Sequence, residues 1–291
     1  MRKSKKEKKQ IFHWLLLIPT LIFFLAFLVM PLILLVVLSF RDIDSMQNVL
    51  NTYSLSHYIE VFTSDIYKEA ILSTLWMAVI TTVLCILFAY PAAYLLVRAP
   101  NRKLRALFYI LLVSPLLTSV VIRTFAWIVL LAQNGLVNEL LLKLNIVQEP
   151  LSLLWNMKAV IIAYVQVMLP FAVLPIATSL SDMNANLRNA SMSLGAGRIQ
   201  SFFKVTLPLT IPGIISGAVI VFSLAAGSYI TALLVGGRMQ PIFPLSIYQQ
   251  VMQVFNLPLA AAMSISLMVI VFIVVGLLGL VLKRWEARLH D

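Results

Sequence analysis

The sequence predicts an all-α integral membrane protein with six transmembrane helices and both ends of the chain on the cytoplasmic side. Three observations carry this. Hydrophobic residues make up 61% of the 291, charged ones 11%, and the mean hydropathy is +0.98, outside the range of soluble domains. Charges are expelled from apolar runs at about residues 11–40, 70–97, 106–132, 157–180, 210–235 and 257–282, each beyond the roughly 20 residues a helix needs to cross a bilayer core. The basic residues cluster on one side of a chain that crosses six times: Arg2 to Lys9, then Arg98, Arg102, Lys103 and Arg105, then Arg188, Arg198 and Lys204, and finally Lys283, Arg284 and Arg288. Most acids (Asp42, Asp44, Glu60, Asp65, Glu69, Glu139, Glu149) fall on the other side. This is the positive-inside pattern. It accounts for the net charge of +11 through topology, so no nucleic-acid partner is implied.

Residues 1–10 read as a basic cytoplasmic tail and 11–291 as a single transmembrane domain. The first run is too long for the ~7–15-residue core of a secretory signal, and no small-residue cleavage site follows it. It is expected to remain as the first span. The second run holds Cys85, the one cysteine, which fits a buried packing thiol. The third contains Arg123, the only ionisable residue well inside a run. The fourth carries Pro170 and Pro175, expected to bend it near mid-depth, where cavity water or neighbouring helices can satisfy freed carbonyls. The outer connections, 41–69, 133–156 and 236–256, carry helical apolar patterns such as Leu136, Leu140, Leu141 and Leu144, read as short amphipathic helices.

The inner connections differ sharply in length. Residues 99–105 make a tight turn, whereas 182–209 form a long loop. Read as a helix, Leu187 to Phe203 can put Leu194, Ile199, Phe202 and Phe203 on an apolar side, with Arg188, Arg198, Gln200 and Lys204 polar. Gly195 and Gly197 punctuate it, as a break between two short helices would. Ala190, Ser191, Ala196 and Gly197 are small enough for another protein to approach the backbone. Pro208 and Pro212 suit the loop's end and the first turn of the fifth span.

The spacing Asn189-Ala190-Ser191, three residues, Gly195, nine residues, Val205-Thr206-Leu207-Pro208 resembles the EAA loop of ABC importer permeases. Asn189 stands where that motif has an acid, so a salt bridge made there is lost, although Asn can still cap a helix or bond a partner. Further segments are similar to the B-type permeases of spermidine/putrescine importers: Tyr90-Pro91-Ala92-Ala93-Tyr94, Arg123-Thr124-Phe125, Gly135-Leu136-Val137-Asn138-Glu139, and Pro208 through Gly217. The resemblance runs from about Leu15 to the C-terminus. It implies the type I importer permease fold in a bacterial inner membrane, with 182–209 as the loop that couples to a separate ATPase. The implied partners are a dimer of ATP-binding subunits, a second permease subunit of different sequence, an extracytoplasmic solute-binding protein and the lipid bilayer. It implies a polyamine as solute; relatives with this pattern also serve opines, amino-acid derivatives, phosphonates and ferric iron.

The chain itself has no Gly-x-x-x-x-Gly-Lys-[Ser/Thr] phosphate loop, no metal spacing around His13, His57 or His290, and no nucleophile–base–acid arrangement. No cofactor is implied, and the protein is not expected to be an enzyme. Candidate path residues are Arg123 and, one helical turn on, Trp127; Tyr164 and Gln166 in the fourth span; and Ser223, Ser228, Tyr229 and Thr231 in the fifth. Arg123 would repel a polycation, and structural roles for it remain open: a bond to backbone carbonyls or outward snorkelling. An ion-coupled carrier is the competing class. It would need an intramembrane acid or paired broken helices in inverted repeats, and no acid lies in the middle of any run.

Overall fold

The computed structural model describes residues 18–44, 48–237 and 240–290. The basic tail expected at 1–10, the start of the first run and His13 lie outside them. Among the described residues, five helical stretches are long and apolar enough to cross a bilayer: Ile18–Ser39, Asp65–Arg98, Val120–Lys143 (two helices, Val120–Leu131 and Leu136–Lys143, counted together), Met157–Asp182 and Leu257–Val281. A sixth crossing arises when Arg198–Leu209 and Ile211–Gly227, bent 59° from one another, are counted as one.

Two compact units divide the chain: Met1–Ser64 with Ile247–Met268, and Asp65–Ser246 with Val269–Asp291. In the first, helix α1 (Ile18–Ser39) exposes its apolar side chains along nearly its whole length, as a helix made for lipid or for another chain does. An antiparallel hairpin follows, β1 (Arg41–Ile43) with β2 (Val49–Tyr53), and then helix α2 (Ser56–Thr63). The hairpin corrects the expectation of a purely helical outer connection. Val49-Leu50-Asn51-Thr52-Tyr53 is β-favouring, and Asp44 closes the turn by accepting Asn48 N–H at 2.8 Å. Ser39 and Tyr58 share a hydroxyl hydrogen bond of 2.7 Å, tying α2 to the end of α1.

The second unit is built on α3 (Asp65–Arg98), α7 (Met157–Asp182) and α10 (Ile211–Gly227). Their buried faces are rich in small residues: Ala78, Ala89 and Ala93 on α3, Ala159, Ala163 and Ala172 on α7, Ala225 and Ala226 on α10. In a bilayer the apolar solvent gives helices no reason to associate, so close backbone approach and dispersion must do it, and small residues permit both. The approach is tightest at Gly213 and Gly217 of α10, spaced as G-x-x-x-G. A Cβ at Gly213 would sit 2.6 Å from the Pro175 carbonyl oxygen, and one at Gly217 3.2 Å from Ala172. Cys85 is buried here, its thiol donating to the Val165 carbonyl at 3.5 Å.

α7 runs unbroken through Pro170 and Pro175; the breaks come elsewhere. The third run, expected as one span, divides into α4 (Arg102–Val113), a 3₁₀ turn (Ser114–Leu117) and α5 (Val120–Leu131), with extended backbone at Thr118 and Ser119. Pro115 in the 3₁₀ turn lacks an N–H, so it cannot continue the helical hydrogen bonding back to Leu111. The fifth run stops at Ser228, which is extended, and resumes as a π turn, Ala232–Gly236. The outer connections hold the expected short helices, α6 (Leu136–Lys143) and α11 (Phe243–Gln249), before α12 (Leu257–His290). Asn138 knits the α6 loop together: its side-chain amide donates to the carbonyls of Ala132 and Leu151 at 3.0 Å and accepts from Leu151 N–H at 2.9 Å.

Candidate functional site

The inner loop folds into two short arms, α8 (Ala185–Ser193) and α9 (Arg198–Leu209), the latter including a π turn at Phe202–Thr206. Asn184 caps α8, its side chain accepting Asn186 N–H at 2.9 Å. Asn189 therefore lies mid-helix and exposed, and caps nothing. α8 ends in a Schellman motif: Gly195 N–H donates to the Met192 carbonyl at 3.0 Å and Ala196 N–H to that of Ser191 at 3.1 Å. The motif requires a left-handed residue after the helix, and Gly195 supplies it with φ +90°. That is the physical reason for a glycine six residues after Asn189. Leu207 and Pro208 fall at the end of α9, and Pro212 in the first turn of α10.

The expected apolar side of this loop divides in two. Leu194 and Ile199 are 88% and 76% exposed, projecting at the tip beside Ala190, Gly197 and Arg198. Phe202 instead turns inward, edge-on to Tyr90 and Tyr94 of α3 with ring centroids 5.6 and 6.1 Å away. Ser191 and Ser201 share a 2.6 Å hydroxyl bond across the arms. Arg188 donates to the Tyr94 hydroxyl at 3.3 Å, and Arg98 lies 4.5 Å from the centre of the same ring. Sequence reading missed the partners of Phe202, because they lie more than a hundred residues away.

A second locus forms where the two span breaks face each other. A cavity of about 510 Å³ is walled by Arg123, Tyr164, Met168, Ser223, Ser228 and Thr231, with apolar side chains such as Leu116 and Phe171 between them. Arg123 donates to the Pro115 carbonyl at the broken third run, and its buried Nε has no hydrogen-bond partner. Tyr164 is fully buried and donates to the Ser228 carbonyl at 2.7 Å, satisfying backbone freed by the α10 break. Thr124 and Thr231 hydroxyls are 3.3 Å apart. Ser223 is bonded back to Val219 of its own helix at 2.8 Å. Trp127 and Gln166 are brought together beside the cavity, the indole donating to the amide oxygen at 3.2 Å, but neither is among its walls; nor is Tyr229, in the break itself. Among the described residues lining the cavity there is no carboxylate.

Residues 85–287 match the family described as the binding-protein-dependent transport system inner membrane component. The chain belongs to that family, a multi-pass inner-membrane permease of the ABC importer class. Among individual relatives it is similar to the spermidine/putrescine transport system permease protein PotB of Escherichia coli, 33% identical over 91% of this chain and 94% of the relative. PotB of Haemophilus influenzae is 31% identical over 91% and 89%. The molybdenum transport system permease protein ModB of Mycobacterium bovis is 30% identical over 74% and 80%. The fold is that of a crystallised bacterial ABC transporter involved in import of the acidic polysaccharide alginate, with a TM-score of 0.78 at 21% identity, covering 98% of this chain and 99% of that one.

Proposed function

We propose that this chain is the membrane subunit of a type I ABC importer for polyamines, spermidine or putrescine. An extracytoplasmic binding protein delivers the solute, and a second permease chain completes the path. Residues 182–209 form the coupling loop that docks on a separate dimer of ATP-binding subunits. The observation that carries the coupling role is the loop's double character. Its tip presents Leu194 and Ile199 to solvent among small residues, while its base is held to α3 by Phe202 and Arg188, and Ser191 and Ser201 tie its arms together. Exposed apolar side chains beside closely approachable backbone are what a partner protein's groove receives. With the span ends charged as they are, the loop and both termini are cytoplasmic. The cavity between the two span breaks is this subunit's share of the solute path, and Arg123 acts there as a staple on the Pro115 carbonyl.

A second reading keeps the machine and changes the cargo. Among the described residues of the cavity wall, Arg123 is the only charge and no acid accompanies it, which suits an anionic solute better than a polycation. ATPase stimulation of the co-purified complex in nanodiscs separates the two readings, with the binding protein loaded in turn with spermidine, putrescine and small oxyanions. Stimulation by the amines alone supports the polyamine importer and leaves Arg123 structural. Stimulation by an anion alone discards the polyamine and makes Arg123 a contact for the solute. A purified chain that transports in liposomes without an ATPase would overturn both.

A further inference from the structure

The joint between the inner loop and α3 is built more elaborately than loop packing requires. Phe202, on the second arm, presents its edge to two tyrosines one helical turn apart, Tyr90 and Tyr94. Both tyrosine hydroxyls are engaged by other parts of the same region. Tyr94 accepts from Arg188 on the first arm at 3.3 Å, and Tyr90 shares a 3.1 Å hydroxyl bond with Thr210, the residue between α9 and α10. The arms themselves are tied by Ser191 and Ser201 at 2.6 Å. Every rigid piece of the loop therefore ends on the same two side chains of α3.

Those side chains flank the one proline of their helix. Pro91 sits between Tyr90 and Tyr94 inside α3. Having no N–H, it leaves the Leu87 carbonyl without its helical donor, and a helix bends most readily at such a place. Past Pro91 the last turns of α3 carry Leu96 and Val97. These wall a groove of about 570 Å³ at the inner end of the unit, opposite Ala106 and Ile110 of α4 and Leu174 and Ala177 of α7. The loop's contacts with α3 fall on Tyr90 and Tyr94, and the segment of α3 beyond them bears this wall.

We infer that Tyr90, Tyr94 and Phe202 are the positioning residues that convert movement of the inner loop into movement of residues 92–98 about Pro91, so that the groove lined by Leu96 and Val97 opens and closes with the ATPase. This rests on the reading of 182–209 as the coupling loop. It adds the route by which the stroke leaves the loop, and assigns it to α3 rather than to the direct chain connection into α10.

The test uses the complete complex with its ATPase and binding protein, carrying spin labels at Val97 and Ile110 introduced as cysteines. The interlabel distance and ATP hydrolysis are read in the nucleotide-free and ATP-bound states. The expected result is a distance change in the parent that Phe202→Ala abolishes while the ATPase stays bound and active. ATP hydrolysed per solute imported should then rise by at least about fivefold, the lower end of a typical coupling between sites. Phe202→Tyr, which keeps the ring, restores the change, a rescue that a general loss of stability does not allow. Tyr94→Phe removes only the Arg188 tie and gives a partial loss. Should Phe202→Ala not accumulate, Phe202→Leu reads the same joint with an apolar filler. A nucleotide-driven distance change that persists unaltered in the ring-less variant overturns the clasp while leaving the coupling loop standing. Failure of the parent chain to retain the ATPase at all overturns the loop reading instead.

Discussion

Glycine is used in opposite ways by the helix core and by the inner loop. On α10, Gly213 and Gly217 are there because there is no room: a Cβ at Gly213 meets backbone of α7 at 2.6 Å. In the loop, nothing lies within 4 Å of a Cβ added to Gly195 or Gly197. Space is free there, and Gly195 is needed for its φ of +90°. The core thus depends on what its glycines lack, and the loop on what one glycine can do. One region is a close-packed solid in which an atom cannot be added. The other is a shaped edge whose outline matters and whose volume does not.

Substitutions at these positions break or sharpen that contrast. Gly213→Leu is expected to have the largest effect, because overpacking against a backbone carbonyl cannot be relieved by a rotamer change. A loss of about 3 kcal/mol or more should appear as failure to give a monodisperse subunit in detergent. Gly195→Ala is next. Holding an alanine in the left-handed region costs roughly 1–2 kcal/mol, all of it local to the loop. The subunit should insert and melt normally while solute uptake falls, and Gly195→Asn should fall less. A lowered melting temperature with unchanged uptake would reverse the assignment of the loop. Tyr164→Phe leaves the Ser228 carbonyl without its donor and should lower stability by about 1 kcal/mol, read as a modest shift in thermal unfolding. Gly197→Ala is expected to change stability by less than about 0.5 kcal/mol and to leave uptake intact. An effect as large as that of Gly195→Ala would mean that a partner's surface touches this backbone.

The same contrast explains what could be read from the sequence. The run boundaries were legible wherever a charge stops an apolar run, as Arg98 does for α3, because desolvating a charge decides where a helix leaves the membrane. Gly195 was legible as punctuation because helix termination is local chemistry. The break at Thr118 was not: the run from 106 to 132 remains apolar across it, and only Pro115 marked the place. The hairpin at 41–53 escaped because its strands are short and half polar. The G-x-x-x-G on α10 was hidden among many other small residues, and its meaning depends on which helix lies opposite. Tyr164 and Gln166 were legible as polar candidates for the path, but their partners Ser228 and Trp127 lie in other runs and could not be read from the sequence, although buried polar groups need such partners.

The single cysteine has a practical meaning. Cys85 is fully buried and is the chain's only thiol, so a maleimide added to the folded subunit should find almost nothing to label. Any cysteine placed by mutation then reports alone, against a dark background, with no need to remove the native one. The molecule is in this sense already prepared for its own distance measurements. Slow labelling of the native chain that becomes complete on denaturation would establish the background before the first probe is attached.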